Sequence, residues 1–317
     1  MYVPTFDDVL AAHERVKPYI HRTPVLTSRT FNEMTGAELF FKCENLQKAG
    51  AFKVRGATNA VFSLSDDEAK RGVVTHSSGN HALSLSYAGS CRGVKVTVVM
   101  PETAPQAKLD AVRGYGGEVI LCKPSLEARE TTLAELQKKT GGDFVHPYND
   151  PRVIAGQGTC FVELRDEVGE LDALVAPIGG GGMISGSCIS GSTLSPDMKI
   201  YAAEPKNADD AAQSFKQGKI IEYDAPDTVA DGLKVALRDV TFHVVTKHVT
   251  DFITMSEEEI ISTMKLVWQR MKIVIEPSSA VALAAVFAQP ELFKGKRVGV
   301  IFTGGNVDLD KLPWMKK

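Results

Sequence analysis

The stretch Ala173-Leu174-Val175-Ala176-Pro177-Ile178-Gly179-Gly180-Gly181-Gly182-Met183 places an apolar, strand-like run directly before four consecutive glycines. Glycine lacks a Cβ atom and adopts positive φ readily, so such a loop can turn its backbone N–H groups onto a phosphate. The residues from Met183 onward have the pattern of a helix, and its N-terminus would point at the same loop. The stretch therefore predicts a strand, a phosphate-binding loop and a helix in succession.

Similar strand and helix units recur along the chain. Strand-like apolar runs occur at residues 39–42, 72–75, 94–100, 118–121, 173–177, 199–203 and 297–302. Helical patterns lie among them, at residues 63–71, 81–92, 126–140, 256–273 and 278–289. This alternation is typical of an α/β fold with right-handed crossovers, and it predicts open, twisted, mainly parallel sheets flanked by helices.

The chain is long enough for two hydrophobic cores, because it has 317 residues of which 44% are hydrophobic. Residues 73–148 contain their own succession of strands and helices, so we expect them to form a small inserted domain. Residues 1–72 and 149–317 would then form the large domain. No internal repeat or long linker is visible in the sequence.

Composition excludes several classes of partner. A net charge of −3 provides no basic field for nucleic acid or an anionic membrane. The apolar runs fall far short of the roughly 20 residues that a membrane-spanning helix needs. The first residues show no secretory signal, so we expect a cytoplasmic protein. The five scattered cysteines favour neither a disulfide framework nor a zinc site. We expect small-molecule ligands and other copies of the chain as partners.

A second distinctive stretch is Gly50-Ala51-Phe52-Lys53-Val54-Arg55-Gly56-Ala57. A lysine amine can condense with an aldehyde, and the tetraglycine loop can bind a phosphate. The two features together suit pyridoxal phosphate, which carries both groups. Either one alone is weak evidence, since the glycines could form a flexible turn. The glycine loop also lacks the spacing of a P-loop or of a dinucleotide-binding fingerprint.

Two more polar loops follow predicted strands, and strand ends in open parallel sheets are where ligands bind. Residues 75–81 (Thr-His-Ser-Ser-Gly-Asn-His) present hydroxyls, an amide and a helix N-terminus, which suit a substrate carboxylate. A simple helix cap is the alternative interpretation. Residues 302–308 end the last strand, and Thr303 could share a proton with a ring nitrogen. A strand-terminal turn would explain the same pattern.

Taken together, these loops resemble those of the fold-type II pyridoxal phosphate enzymes, which have a fold like that of the tryptophan synthase β subunit. Within that group the chain is most similar to the family of serine racemases and serine/threonine dehydratases, and especially to the eukaryotic type of serine racemase. The resemblance runs nearly from end to end. The matching stretches are residues 23–28, 41–48, 52–53, 75–81, 153–159, 179–182, 202–205, 230–232, 275–277 and 304–308.

The resemblance implies a role for each residue that matches a motif of the family. Lys53 would attach the cofactor, and Ser78 would be a second acid/base on the opposite face of the substrate. The cofactor-binding residues would be Phe52, Lys53, Asn80, Gly179, Gly180, Gly181, Gly182, Met183 and Thr303. The substrate-binding residues would be Ser77, Ser78, Asn80, His81 and Arg129.

The resemblance also implies a divalent cation site made by Glu204, Ala208 and Asp210. Their oxygen atoms suit Mg²⁺, Ca²⁺ or Mn²⁺. From the residues alone, an acidic helix start is the competing interpretation. The nucleotide-binding stretch of animal racemases is only partly present, because Arg29 and Ala49 depart from it, which weakens the case for activation by ATP.

The function implied by the resemblance is serine racemisation with serine dehydratase activity, carried out by a homodimer. Tyr148 stands where animal racemases have asparagine and is closer to the dehydratases. Dehydration of threonine or threo-3-hydroxyaspartate with little racemisation is therefore the alternative enzymatic function. A sensor or nucleotide-binding protein without catalysis is a different class, which the presence of Lys53 and Ser78 disfavours.

Overall fold

Strands and helices alternate through nearly the whole chain, of which a computed structural model describes residues 1–315. The strands are β1 (Val25–Leu26), β2 (Glu38–Cys43), β3 (Val73–His76), β4 (Val96–Pro101), β5 (Glu118–Cys122), β6 (Asp143–Phe144), β7 (Ala173–Pro177), β8 (Lys199–Pro205), β9 (Asp251–Met255) and β10 (Arg297–Phe302). The helices are α1 (Phe6–Val16), α2 (Arg29–Thr35), α3 (Lys53–Phe62), α4 (Asp66–Arg71), α5 (Asn80–Arg92), α6 (Gln106–Gly114), α7 (Leu126–Thr140), α8 (Pro151–Val168), α9 (Gly182–Leu194), α10 (Asp210–Gln217), α11 (Asp239–His248), α12 (Glu257–Met271), α13 (Pro277–Ala288) and α14 (Pro290–Phe293).

The larger sheet has six strands in the order β1-β2-β10-β7-β8-β9. All neighbours in it are parallel except β1 and β2. Successive residues of a strand face opposite sides, so Leu174 belongs to the apolar core on one face and Val175 to the core on the other. Helices α12 and α13 cover the Val175 face, while α1, α8, α9 and α11 cover the Leu174 face. Burial on both faces explains why these strands read as continuous apolar runs.

The smaller sheet has four parallel strands in the order β5-β4-β3-β6. All four fall within residues 73–148, which the sequence assigns to a small inserted domain. Its main core packs α5 and α6 against the sheet, and α3 of the larger unit contributes Ala57 and Val61 to that core. The two sheets thus share one helix. The domain boundaries themselves stay a prediction.

The prediction of an α/β fold with two mainly parallel sheets is confirmed. Strands β7 and β10 and helix α7 have the predicted bounds. Strands β1, β6 and β9 were not predicted. The first two have only two residues each, and β9 (Asp251–Met255) alternates between buried and more exposed residues, so it lacks the apolar run of the central strands.

Glycines allow helices α3, α8 and α9 to cross at very short range. A Cβ atom on Gly156 of α8 would lie 2.6 Å from the Cα atom of Gly56 and 2.7 Å from the Arg55 carbonyl oxygen. A Cβ atom on Gly186 of α9 would lie 2.4 Å from the Gly158 nitrogen. Backbone atoms cannot swing aside as side chains do, so these crossings require glycine. They fix α3, which begins with Lys53, against the larger sheet.

A buried ionic network reinforces the same crossing. The Arg55 guanidinium donates to Glu44 at 2.7 and 2.8 Å and to Glu163 at 2.7 and 2.9 Å. The Lys42 ammonium donates to Glu163 at 2.7 Å and to the Thr23 carbonyl at 2.7 Å. Burial alone would raise the pKa of Glu163, but Arg55 and Lys42 lower it to about 2. Two cations and two carboxylates therefore neutralise each other inside the protein.

Within residues 1–315, none of the helices combines the length and the apolar character that crossing a bilayer requires.

We predict that Gly156→Ala destabilises the protein by about 1–3 kcal/mol, because the added methyl group would have to displace backbone atoms of α3. Chemical denaturation, read as the free energy of unfolding, measures the effect. Gly114→Ala is the matched control. Gly114 also lies in a helix, but a Cβ atom there would meet nothing within 4 Å, so the change should stabilise by about 0.4–1 kcal/mol. Equal effects of the two substitutions would contradict the crossing argument.

Candidate active site

Loops that follow the carboxyl ends of parallel strands meet at one edge of the larger sheet. The backbone N–H of Phe52 donates to the Thr303 carbonyl at 3.0 Å, and Ala51 pairs with Gly304 in an antiparallel bridge. The loop before α3 and the loop after β10 are thereby joined. Strand β7 neighbours β10 in the sheet, so the tetraglycine loop emerges beside them. The structure brings the predicted lysine, threonine and glycine loops to the same place.

Lys53 is the first residue of α3, and its ammonium group is buried. Its Nζ atom donates to the Pro147 carbonyl at 2.9 Å and lies 5.1 Å from the centroid of the Phe52 ring. Burial lowers the pKa of Lys53 to about 8, although the negative charge of Glu276 opposes this shift. Near neutral pH a substantial fraction of the amine is therefore unprotonated, which is the form that can attack an aldehyde.

The tetraglycine loop packs so tightly that side chains could not be added. A Cβ atom on Gly180 would lie 2.5 Å from the Tyr148 ring, and one on Gly179 would lie 2.8 Å from the Cα atom of Leu233. Gly181 has φ +82° and caps α9, whose first helical residue is Gly182. The free N–H groups of a helix N-terminus attract anions. The loop therefore fits the phosphate of pyridoxal phosphate. Met183 is buried in the first turn of α9.

The predicted substrate loop follows β3 of the smaller sheet and ends at the N-terminus of α5 (Asn80–Arg92). The Ser77 hydroxyl accepts from the Gly79 N–H at 3.3 Å. Ser78 is half-buried beside it. The His81 ring is buried and its Nε2 atom lies 3.1 Å from the Val145 carbonyl, so the ring faces the smaller sheet. Burial and the charge of Lys53 lower the pKa of His81 well below its ordinary value. The N-terminal N–H groups of α5, rather than this ring, suit a carboxylate.

Asn80 is held by a buried carboxyl group that the sequence analysis did not assign. Its side-chain amide donates to the two carboxyl oxygens of Glu276 at 3.0 and 3.2 Å, and its carbonyl oxygen accepts from the Asn306 side chain at 2.9 Å. Burial, together with the charge of Asp231, raises the pKa of Glu276 to about 7. The orientation of the Asn80 side chain therefore depends on Glu276.

One wall of the site is aromatic. The Tyr148 ring packs on Gly180 and lies 6.0 Å from Lys53 Nζ. The His146 ring meets Tyr148 edge to face at 4.6 Å, and its Nδ1 atom accepts from the Asn149 N–H at 3.0 Å. Burial, followed by the charge of His76, lowers the pKa of His146 to about 4. Both histidines are therefore neutral at pH 7, because burial also lowers the pKa of His76.

The remaining predicted residues lie nearby but are not all in contact with the lysine. Thr303 is buried and accepts from Phe52 through its backbone carbonyl. Arg129 lies on α7 of the smaller sheet, where its side chain donates to the Ser125 carbonyl of its own helix at 3.4 Å. The positive charge of Arg129 contributes to the lowered pKa of His76. Arg129 therefore lies near β3, on the side of the cleft that the smaller sheet forms.

The predicted cation ligands form a separate buried cluster at the end of β8. The Glu204 carboxylate accepts from the backbone N–H groups of Ala211 and Ala212 at 3.2 and 2.9 Å. Asp210 is 2% exposed, and its Oδ2 atom has no hydrogen-bond partner among the described residues. Ala208 is fully buried beside them. Residues 1–315 contain no group of three or more His, Cys, Asp or Glu side chains arranged for a metal, so a backbone carbonyl would have to supply the third ligand.

Two site features were missed from the sequence. Glu276 is the N-cap residue of α13 and directly precedes Pro277. Its position at the start of a helix was the one feature of the sequence that could have drawn attention to it. Arg238 precedes α11, and its charge opposes the rise that burial causes in the pKa of Tyr148. No local pattern in the sequence indicates a role for Arg238, because the residues around it come together only when α11 packs against the tetraglycine loop.

Comparison with known proteins agrees with this geometry. The profile of the family described as "Pyridoxal-phosphate dependent enzyme" matches residues 16–304. The chain is 65% identical to the β-hydroxyaspartate dehydratase of Paracoccus denitrificans (strain Pd 1222), over 99% of this chain and 100% of that protein. It is 50% identical to the serine racemase of Dictyostelium discoideum, over 98% of each chain. The crystal structure of that racemase superposes with a TM-score of 0.93, covering 96% of this chain and 99% of the other.

We predict that pyridoxal phosphate attaches to the unliganded protein through Lys53, at a rate that rises with pH and levels off just above pH 8. A lysine with its ordinary pKa would level off only above pH 10, because the neutral amine is the reactive form. Visible absorbance follows the attachment, and borohydride reduction with peptide mapping identifies the lysine. Lys53→Ala should lose the covalent link while the far-ultraviolet circular dichroism stays unchanged. Label on another lysine would contradict the assignment.

Proposed function

Since this chain belongs to the family of pyridoxal-phosphate dependent enzymes, we propose that it interconverts L- and D-serine and also eliminates water from serine. The observation that carries this proposal is the setting of Lys53, an amine whose pKa burial lowers to about 8 and whose Nζ atom lies 6.0 Å from the Tyr148 ring that packs on the tetraglycine loop. Similarity to the Dictyostelium serine racemase over nearly the full length of both chains supports the same function.

Pyridoxal phosphate, when bound, withdraws electron density from Cα of the attached amino acid and so makes its proton removable. The residues of the chain then decide the outcome. Lys53 carries a proton to and from Cα on one face, because a pKa of about 8 allows Nζ both protonation states near neutral pH. The α5 N-terminus with Ser77 holds the substrate carboxylate and so fixes which faces are presented.

Ser78 would carry the proton on the opposite face. Proton removal by Lys53 and return by Ser78 inverts Cα, which gives racemisation. When the β-hydroxyl group leaves as water instead, the released unsaturated amine takes up one water molecule and hydrolyses to a keto acid and ammonia. Tyr148 and the neutral rings of His76 and His146 form an aromatic wall on one side of the site.

Elimination of water from 3-hydroxyaspartate, with little racemisation, is a second candidate function. The 65% identity to the Paracoccus β-hydroxyaspartate dehydratase favours it. Tyr148 favours it too, because the ring fills space beside Lys53 that a smaller residue would leave open. Both candidates use the same proton removal at Cα and differ in the group that Cβ carries.

We predict that Ser78→Ala separates the two faces of the reaction. Elimination from L-serine, which uses Lys53, should be largely retained. Racemisation in both directions and elimination from D-serine should fall about 10²- to 10⁴-fold, which is the usual contribution of a general acid or base. The assay follows keto acid and both enantiomers with L-serine, D-serine, L-threonine and each 3-hydroxyaspartate diastereomer.

Ser77→Ala is the control for that variant, because it removes the neighbouring hydroxyl and should change KM for both enantiomers alike. Equal losses with L- and D-serine in Ser78→Ala would mean that Ser78 only positions the substrate. A wild-type protein that eliminates without racemising would favour the second candidate function.

Glu204, Ala208 and Asp210 would bind Mg²⁺, Ca²⁺ or Mn²⁺. Two carboxylates lie buried near each other there, and among the described residues the groups that act on them are other carboxylates and backbone N–H groups rather than lysine or arginine. Burying unpaired negative charge is costly, and an oxygen-coordinated cation would remove that cost. The unpartnered Asp210 Oδ2 atom supports this site.

We predict that a chelator lowers the melting temperature of the wild-type protein by several degrees and that added Mg²⁺ or Ca²⁺ restores it. A ligand at about 100 times its Kd stabilises the folded state by about 2.7 kcal/mol. Asp210→Asn should abolish the response. Asp209→Asn should keep it, because the Asp209 carboxylate is already bonded to Tyr223 and Gln213. A response that survives Asp210→Asn unchanged would refute the site.

We further propose a cytoplasmic homodimer. Leu46, Val274 and Leu309 are 43–60% exposed and lie on the side of the larger unit where Asn45 bonds to the Val274 carbonyl. Exposed apolar side chains of this kind are candidates for a subunit interface. ATP has no support as an activator beyond the partial motif in the sequence.

A further inference from the structure

Arg238 directly precedes α11, next to the tetraglycine loop. Leu237 and Thr241, on either side of it in sequence, pack against the tetraglycine loop, because a Cβ atom on Gly181 would lie 2.7 and 3.0 Å from their side chains. The Arg238 N–H donates to the Thr241 hydroxyl at 3.0 Å. The arginine backbone is therefore fixed relative to the phosphate-binding loop.

Asn149 connects Arg238 to the aromatic wall. Its side-chain amide donates to Asp239 at 2.7 Å, and its side-chain oxygen accepts from the backbone N–H groups of Val240 and Thr241 at 3.2 and 3.4 Å. Asn149 directly follows Tyr148, which lies 6.0 Å from Lys53 Nζ. Three hydrogen bonds thus hold the start of α11 beside the tyrosine that lines the site.

The guanidinium group of Arg238 has one direct partner and acts on a second group. It forms an ion pair with Glu222, and its positive charge opposes the rise that burial causes in the pKa of Tyr148. The side chains of Arg238 and Glu222 are 37% and 50% exposed, so the pair is accessible to water and to small ligands. Exposed ion pairs contribute little free energy. A competing carboxylate could therefore displace Glu222 at small cost.

Charges of both signs act on this part of the cleft. Arg129, Arg238 and Glu130 act on His76, and Arg238, Glu222 and Asp210 act on Tyr148. A substrate carboxylate that displaced Glu222 would replace one negative charge beside Arg238 with another, so the exchange needs no excess of positive charge.

We propose that Arg238 is a specificity-determining residue, which binds the carboxylate that a 3-hydroxyaspartate-type substrate carries on Cβ. This carboxylate displaces Glu222 as the partner of the Arg238 guanidinium group. This inference rests on the proposed function. It extends the second candidate function, elimination of water from 3-hydroxyaspartate, by naming the residue that recognises the Cβ substituent. A guanidinium group recognises a carboxylate through two parallel N–H donors, a geometry that serine cannot use because its Cβ carries only a hydroxyl.

The test compares kcat/KM for elimination from 3-hydroxyaspartate with kcat/KM for elimination from L-serine, in the holoenzyme. In Arg238→Gln the ratio of the two values should fall about 10- to 100-fold, the loss expected for a charge-assisted hydrogen bond to a substrate. The fall should appear mainly in KM for 3-hydroxyaspartate. Arg238→Lys, which keeps the charge but not the paired donors, should recover part of it.

Three further variants separate recognition from structural effects. Glu222→Gln frees the guanidinium, so it should shift the ratio in favour of 3-hydroxyaspartate. Tyr148→Phe removes the hydroxyl partner and keeps Arg238. Arg22→Gln is the matched control, since Arg22 forms a comparably exposed ion pair with Asp166 elsewhere on the surface, and it should leave the ratio unchanged.

An equal loss for both substrates in Arg238→Gln, reproduced by Tyr148→Phe, would overturn the inference and make Arg238 a support for Tyr148. A weaker affinity for pyridoxal phosphate, titrated on the unliganded variant, with an unchanged substrate ratio would overturn it in favour of a role at the cofactor. A wild-type enzyme that eliminates water from serine but not from 3-hydroxyaspartate would overturn the inference alone. If it transforms neither substrate, the proposed function fails as well.

Discussion

The buried guanidinium of Arg55 is the interaction on which the site most depends. It joins the loop after β2, through Glu44, to α8, through Glu163, and Lys42 ties β2 itself to the same carboxylate. Removing one partner of such a network leaves an uncompensated buried charge, which typically costs about 3–5 kcal/mol. Because Arg55 is two residues from Lys53, the network fixes the start of α3 and therefore the position of the Lys53 amine. A hydrophobic replacement could preserve stability, but it would not define the orientation of α3 through directed hydrogen bonds.

Parallel strand order supplies the second constraint, since it brings the carboxyl ends of β2, β10 and β7 to one edge. Residues outside the strands then connect the loops at that edge. Ala51 forms a bridge with Gly304, and Glu276 accepts hydrogen bonds from Asn80. The smaller sheet contributes Ser78 and the α5 N-terminus from the opposite side. The proposed reacting groups thus come from two sheets. Helix α3 connects them, because it packs in the core of the smaller sheet and crosses α8 of the larger unit at Gly56 and Gly156.

The sequence predicted the features that depend on local chemistry. The α/β class, the central strands, Lys53 and the tetraglycine loop follow from apolar runs and unusual residues, and the pyridoxal phosphate family was identified correctly from their order. Features created by packing could not be predicted. Glu276 acquires its role because burial and Asn80 surround it, and Arg238 because α11 docks beside Tyr148. Strand β9 was missed for the same reason, since it lies at the edge of the sheet and lacks a continuous apolar run.

The tetraglycine loop also constrains the residues around it, and this links cofactor binding to substrate choice. Gly180 and Gly182 pack against Tyr148 on one side, while Gly181 packs against Leu237 and Thr241 on the other. A change at position 148 would therefore alter the support of the phosphate-binding loop as well as the space beside Lys53. It would also reach α11, because Asn149 bonds to the start of that helix. Position 148 is consequently not free to vary alone, and a chain with tyrosine there needs small residues in the loop and a partner for the hydroxyl. Arg238 acts on that hydroxyl through its charge, so the residue that we propose to recognise the Cβ substituent is coupled to the same tyrosine.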